Sequence, residues 1–137
     1  MSIRIDRDET NKLVLLSVTG VYTDSRLMVA HYLLKDHIAQ YGPANCIVDY
    51  SGLTGVTLTP NAIKVLANQT PPIPLDCIQV NVAPESVMYG LARMFQILTS
   101  EIRPNFRVVR TMKEALDLVG VSSPNYARMV VALRKAA

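Results

Sequence analysis

The sequence of 137 residues has no tryptophan, only two cysteines and only 18% charged side chains. Cys46 and Cys77 lie 31 residues apart, which matches neither a zinc-ligand nor a redox-motif spacing. No apolar run approaches the roughly 18 residues that a membrane-spanning helix needs, and Met1–Arg7 carries charges where a secretory signal would be apolar. We therefore expect a cytoplasmic protein that needs neither disulfides nor cofactors and does not span a membrane.

Sequence patterns of well-known catalytic sites are also missing. There is no Gly-x-Ser-x-Gly elbow, no Walker loop and no Gly-x-Gly-x-x-Gly. His31 and His37 are six residues apart on one predicted helix, too far round it to chelate one metal, and we interpret them as surface or boundary residues. Gly52-Leu-Thr-Gly55 could cradle a phosphate but lacks a basic anchor. We expect no catalytic site, no metal site and no enzyme.

The net charge of +3 is too small to indicate a nucleic-acid-binding protein. It is unevenly distributed: residues 1–90 carry six basic and eight acidic side chains, a net of −2, whereas residues 91–137 carry eight basic and three acidic, a net of +5. Two interpretations stay open for the basic part, solvated helix faces or a surface for an acidic partner.

Half of the residues are hydrophobic, which suits one domain with a single core. The patterns predict the order ββαβαβαβα, an α/β fold with a mixed five-stranded sheet covered by helices. The predicted elements are a hairpin over Ile3–Gly20, a helix from Thr23 or Asp24 to Tyr41, a strand over Asn45–Asp49, a short helix from Thr59-Pro60, a strand over Cys77–Val82, a helix from Pro84-Glu85 to Pro104, a strand over Phe106–Val109 and a helix from Thr111 to Gly120.

Residues 1–121 form the predicted domain, and residues 122–137 a further amphipathic helix. Ser123-Pro124 supplies its N-cap and first residue, and Tyr126, Met129, Val130 and Leu133 follow at helical spacing. Such a helix packs either on its own domain or on a partner. A homodimer through this C-terminal helix is therefore one of our expectations.

The segment Tyr50–Thr59 is predicted to be a hydroxyl-rich loop at the carboxyl end of a buried strand. Asp49 ends the preceding strand and Ser51 lies in the loop, and we expect their polar groups to shape it. Thr57 and Thr59 lie just before, and at, the start of the next helix, where a phosphate would meet free backbone amides and the positive end of the helix dipole. All four residues are candidates for partner binding or modification, although Thr59 could be only an N-cap and Thr57 an ordinary loop residue.

Residues 3–120 resemble the STAS superfamily, specifically its SpoIIAA-like branch, related to anti-sigma factor antagonists. The resemblance lies in the opening hairpin, in Cys46-Ile-Val-Asp-Tyr-Ser-Gly-Leu-Thr-Gly55 and in the strand and capped helix from Phe106 to Gly120. In those antagonists a serine of Asp-Ser-Ser-Gly, at the start of the second helix, is phosphorylated by a partner kinase. This chain has Val56-Thr-Leu-Thr-Pro-Asn61 there instead.

Two functions follow as expectations. The first is a non-catalytic regulatory domain that docks a protein partner through the surface around residues 50–63 and is switched by phosphorylation near the second helix. The alternative is a small-ligand domain that holds a nucleotide or lipid-like molecule between the Tyr50–Thr59 loop and the helix from Pro84, with Met88, Met94 and Phe95 as walls.

Overall fold

The two longest strands, β2 (Leu13–Tyr22) and β3 (Asn45–Val56), form the centre of the sheet in a computed structural model that describes residues 2–129. They run parallel, with Leu13 opposite Asn45 and Tyr22 opposite Val56. The other elements are β1 (Ser2–Asp8), α1 (Asp24–Tyr41), α2 (Pro60–Ala67), β4 (Gln79–Val82), α3 (Ser86–Leu98), β5 (Phe106–Val109), α4 (Met112–Val119) and β6 (Ala127–Arg128).

Within residues 2–129 the sheet has six strands, in the order β5-β4-β3-β2-β1-β6. Strands β2 to β5 are mutually parallel, and β1 and β6 join antiparallel at one side. The predicted α/β class and mixed sheet are therefore confirmed, with six strands in place of the expected five.

Alternation along the central strands divides the core between the two faces of the sheet. Val14, Leu16 and Val48 pack under α1, α2 and α3 in the larger cluster. Leu13, Leu15 and Ile47 face the other way, where Ala115 of α4 and partly buried Tyr126 cover them. Because both faces are covered there, Leu13–Leu16 of β2 and Cys46–Val48 of β3 are apolar throughout, as expected for buried parallel strands.

The helices begin where their capping residues predict. Thr23, Thr59 and Thr111 are the N-caps of α1, α2 and α4, and each side chain accepts a hydrogen bond from a backbone N–H of the first turn. Gly120 ends α4 in the left-handed region, φ 73°. Within residues 2–129, no helix is both long and apolar enough to cross a membrane.

The helix from Pro84-Glu85 is shorter than predicted. α3 ends at Leu98, where the Thr99 hydroxyl donates to the Phe95 carbonyl. Val87, Leu98 and Ile102, which share its predicted apolar spacing, are exposed. This segment therefore leaves part of its apolar surface exposed instead of burying all of it in the core.

The prediction of a C-terminal helix from Ser123 is wrong for the part of that segment that the structure describes. Residues 127–128 form β6, and the Met129 N–H donates to the Ile5 carbonyl of β1. Tyr126 and Met129 pack against opposite faces of the sheet. Residues three positions apart share one face of a helix, but in extended backbone they point to opposite sides. Residues 130–137 lie outside the described residues, so a dimer contact through them stays a prediction.

Asp8 joins this segment to the first hairpin. Its buried carboxylate accepts hydrogen bonds from the Asn11 backbone and side chain, at 3.1 and 2.7 Å, and from the Asn125 N–H at 2.9 Å. These bonds, that of the Asn11 side chain first, lower the pKa of Asp8 below its ordinary 3.8.

We predict that Asp8→Ala lowers the melting temperature at neutral pH, since three donors lose their acceptor. A group whose pKa is lowered on folding stabilises the protein above its unfolded pKa and loses that effect as the pH falls through the folded value. The difference from wild type should therefore shrink below about pH 4. The control is Asp117→Ala, which removes only an exposed contact with Lys113. Equal melting temperatures for both variants would contradict the role of Asp8.

Candidate functional site

The segment predicted as a loop over Tyr50–Thr59 is a strand as far as Val56. Residues 52–56 pair with residues 19–22 of β2, which also runs beyond its predicted end, and the pairing has two register irregularities. The prediction failed because the Ser, Gly and Thr content of this segment is typical of turns, whereas a distant strand supplies its hydrogen bonds.

Strand β3 continues past its other neighbour. β4 pairs only with Cys46–Asp49, so Tyr50–Val56 has no strand on that side among the described residues. The resulting open edge leaves backbone N–H and C=O groups without a ladder partner. A groove of about 300 Å³ runs beside it, lined by Leu53, Thr54, Gly55, Val56, Glu85 and Val87.

The groove wall opposite the edge is the start of α3. Glu85 caps this helix by accepting from the N–H groups of Val87 and Met88, and these bonds lower the pKa of Glu85. Val87 is 57% exposed. The groove therefore combines an open strand edge, an exposed apolar side chain and one carboxylate.

Thr59 connects the beginnings of two helices. Its hydroxyl donates to Asp24 Oδ2 at 2.8 Å and accepts from the Ala62 N–H at 3.2 Å, while its own N–H donates to Asp24 Oδ1 at 2.8 Å. Asp24 is the first residue of α1. A phosphate on Thr59 would break these bonds and place its charge against the Asp24 carboxylate.

The Thr57 hydroxyl makes a much weaker hydrogen bond than the Thr59 hydroxyl. The Thr57 hydroxyl reaches the Tyr22 carbonyl at 3.4 Å, and the Thr57 N–H donates to the same carbonyl at 2.9 Å. Thr57 is exposed and follows directly after β3, whereas the next residue, Leu58, is buried. Of the two threonines, only Thr57 presents a hydroxyl without a strong partner.

The four predicted site residues do not form one cluster. Asp49 Oδ1 accepts from the Ser51 N–H at 2.9 Å, a local contact inside β3. Thr57 lies eight positions after Asp49 along the extended backbone, a distance of about 25 Å. Asp49 and Ser51 thus lie at one end of the open edge, and Thr57 and Thr59 at the other.

A second candidate site lies inside the fold, between the sheet and the three helices on its larger core face. It is a cavity of about 60 Å³. Its floor includes Leu16, Val48 and Phe106 from the sheet, and its cover includes Met88 and Phe95 from α3, two of the three expected wall residues. Met94, the third, packs against the core without lining the cavity.

Four polar side chains also line this cavity: His31 from α1, Gln79 and Asn81 from β4, and Arg103 after α3. Gln79 Nε2 donates to Asn81 Oδ1 at 3.3 Å. Buried Tyr22 and Tyr50, ring centroids 5.3 Å apart, complete the wall near the end of β2, and burial raises the pKa of Tyr50 to about 12. A mostly apolar cavity with a few converging polar groups is the usual form of a small-molecule site.

Both histidines are buried, which corrects the prediction that they are surface or boundary residues. Burial first, and then the charge of Arg7 at 3.2 Å, lower the pKa of His37 to about 4. Burial and the charge of Arg103 also lower the pKa of His31. The two rings lie in different surroundings, and within residues 2–129 no group of three or more His, Cys, Asp or Glu side chains could hold a metal.

Sequence reasoning missed His31, Gln79, Asn81 and Arg103 as site residues. One signal was present, since Gln79 and Asn81 alternate with Val80 and Val82 in the predicted strand over Cys77–Val82. Polar residues on a strand face that packs under helices mark a place where the core is not filled by apolar groups. Nothing local distinguishes His31 and Arg103, because their burial depends on distant elements.

The comparisons concern the fold. No protein-family model matches this sequence, and no curated protein matches it. An uncharacterised DUF3478-family protein with a SpoIIAA-like fold from Shewanella loihica PV-4 is similar over 86% of this chain and 92% of its own, with 16% identity and a TM-score of 0.54. The anti-sigma factor antagonist SpoIIAA, in its unphosphorylated form, is similar over 87% and 98%, with 13% identity and a TM-score of 0.56. The expected SpoIIAA-like fold is therefore confirmed.

We predict that Thr59→Val lowers the free energy of unfolding by about 1–2 kcal/mol, because it removes an N-cap acceptor and the contact with Asp24. Thr59→Ser, which keeps the hydroxyl, should lose much less. Thr57→Val is the matched control and should stay within about 0.5 kcal/mol of wild type. Urea unfolding measures all three, and equal losses for Thr57→Val and Thr59→Val would contradict the assignment.

Proposed function

We propose that this chain is a non-catalytic cytoplasmic regulatory domain that binds a protein partner through a docking surface formed by residues 50–63. The observation that carries the proposal is the open edge of β3 over Tyr50–Val56. An extended segment of a partner can add to such an edge as a further strand, with main-chain hydrogen bonds for affinity and side-chain pockets for specificity. The groove that contains Val87 and Glu85 supplies the side-chain contacts.

The fold supports the regulatory role by analogy, since a solved structure with the same fold is an anti-sigma factor antagonist. In this proposal Asp49 and Ser51 shape one end of the docking surface and Thr59 fixes the other. Thr57 is the modification site, because its hydroxyl is exposed and weakly bonded. A phosphate there would add up to two negative charges beside the groove and alter partner binding.

We predict that Val87→Lys abolishes recovery of the partner from extracts of the source cells, because a charged side chain would enter the groove. Val87 is exposed, so the variant should fold normally. The matched control is Ile97→Lys, at a 69% exposed position of the same helix outside this groove. A protein recovered with wild type and Ile97→Lys, but not with Val87→Lys, supports the docking surface. Recovery of the same protein with all three, or with none, contradicts it.

We further predict that incubation of the protein with cell extract and ATP produces a singly phosphorylated form, with the phosphate on Thr57. Intact mass and fragment spectra locate it, and Thr57→Val should lack it. A phosphate on Thr59, which would face Asp24, would contradict the assignment. So would the absence of any phosphorylated form.

The internal cavity favours a second function, the binding of a small molecule. A buried polar atom, His31 Nε2, has no hydrogen-bond partner among the described residues, and His31 lies in the cavity wall. The small volume and apolar lining favour a lipid-like molecule over a nucleotide.

A further inference from the structure

Arg103 is the most unusual group in the cavity wall. It is 5% exposed, yet its guanidinium has no carboxylate partner within residues 2–129. Nη1 donates to the Ala67 carbonyl at 3.2 Å and Nη2 to the Gln69 carbonyl at 2.8 Å. The group also lies over the Phe95 ring, with Cζ 4.9 Å from the centroid. These contacts place the side chain firmly without neutralising its charge.

A buried charge without a counter-ion is costly, because dipoles and a ring face replace only part of its hydration. Burial lowers the pKa of Arg103, as expected for a cation that lacks a partner anion. A single anion in the cavity would offset this cost. The site thus selects a ligand with one negative charge over a neutral ligand of the same shape.

His31 supplies the second polar contact. It is 8% exposed, and its Nε2 is buried without a hydrogen-bond partner among the described residues. Burial first, and then the positive charge of Arg103, lower the pKa of His31 and favour its neutral form. A neutral imidazole with its proton on Nε2 can donate to an anionic oxygen beside the guanidinium. Two such donors suit the two oxygens of a carboxylate.

The rest of the cavity wall limits the polarity and the size of the ligand's chain. Leu34, Met88, Leu91, Ala92 and Phe95 are apolar and line the cavity. A volume of about 60 Å³ corresponds to roughly four to six positions of water or methylene size, at about 10–15 Å³ each. The ligand must therefore be short.

We infer that the cavity binds a short-chain monocarboxylate, with its carboxylate held by Arg103 and His31 and its alkyl chain against Met88 and Phe95. The inference rests on the small-molecule function proposed above and is independent of the docking surface. It makes Arg103 and His31 the residues that determine ligand specificity.

The test is a titration of the full chain, followed by amide NMR shifts, with butanoate and with the neutral isostere butanamide as probes. Each probe has six non-hydrogen atoms, which the cavity volume allows. We expect saturable shifts near Ala92 and Arg103 with butanoate, and binding at least about tenfold weaker with butanamide, because the amide lacks the negative charge and one of the two acceptor oxygens. Arg103→Met, which keeps much of the apolar stem, should weaken butanoate binding about tenfold or more, and Arg103→Lys should keep part of it. His31→Phe should weaken it less than Arg103→Met.

Each alternative outcome has a distinct meaning. Equal binding of butanamide and butanoate, unchanged in Arg103→Met, would overturn the carboxylate inference while leaving a small-molecule site in place. No saturable shift with either probe would overturn both the inference and the small-molecule function. If Arg103→Met fails to fold, judged by its melting curve, Arg103→Lys and the butanamide comparison still decide the question.

Discussion

The parallel pairing of β2 with β3 is the constraint on which the rest of the structure depends. These two strands carry the central apolar residues of both core faces, against which helices pack on each side of the sheet. The carboxyl ends of β2 and β3 lie side by side and position Thr57, whose N–H donates to the Tyr22 carbonyl. The same pair of strands supplies Tyr22, at the end of β2, and Tyr50, in the middle of β3, to the cavity wall, so the docking surface and the cavity share one structural support.

Both candidate sites arise because neighbouring elements are shorter than this central pair. β4 ends at Val82, and Pro84 follows, which has no N–H to continue a ladder beside β3. The open edge over Tyr50–Val56 results directly. On the core face of β4, Gln79 and Asn81 take the place of apolar side chains, and the space that the helices leave there is the cavity.

Local signals in the sequence were sufficient for the helix starts and for the α/β class with a mixed sheet, whereas the SpoIIAA-like fold was predicted from the family resemblance. Thr23, Thr59 and Thr111 act within one turn of their own position, so a short pattern identifies them. The extension of β3 and the strand at residues 127–128 could not be predicted in this way, because their hydrogen-bond partners lie far along the chain. The burial of His31 and Arg103 likewise depends on how separate elements pack, which periodicity within a single helix does not report.

The most direct test of the central claim is hydrogen–deuterium exchange of the individual amides of β3 in the full chain. In Cys46–Asp49, which has strands on both sides, the account predicts slow exchange throughout. In Tyr50–Val56 it predicts a mixture, slow for amides that face β2 and fast for those at the open edge, with the fast ones slowed when a partner segment adds as a strand. Uniformly slow exchange across Tyr50–Val56 in the free protein would show that the edge is already covered and would contradict the proposed docking surface.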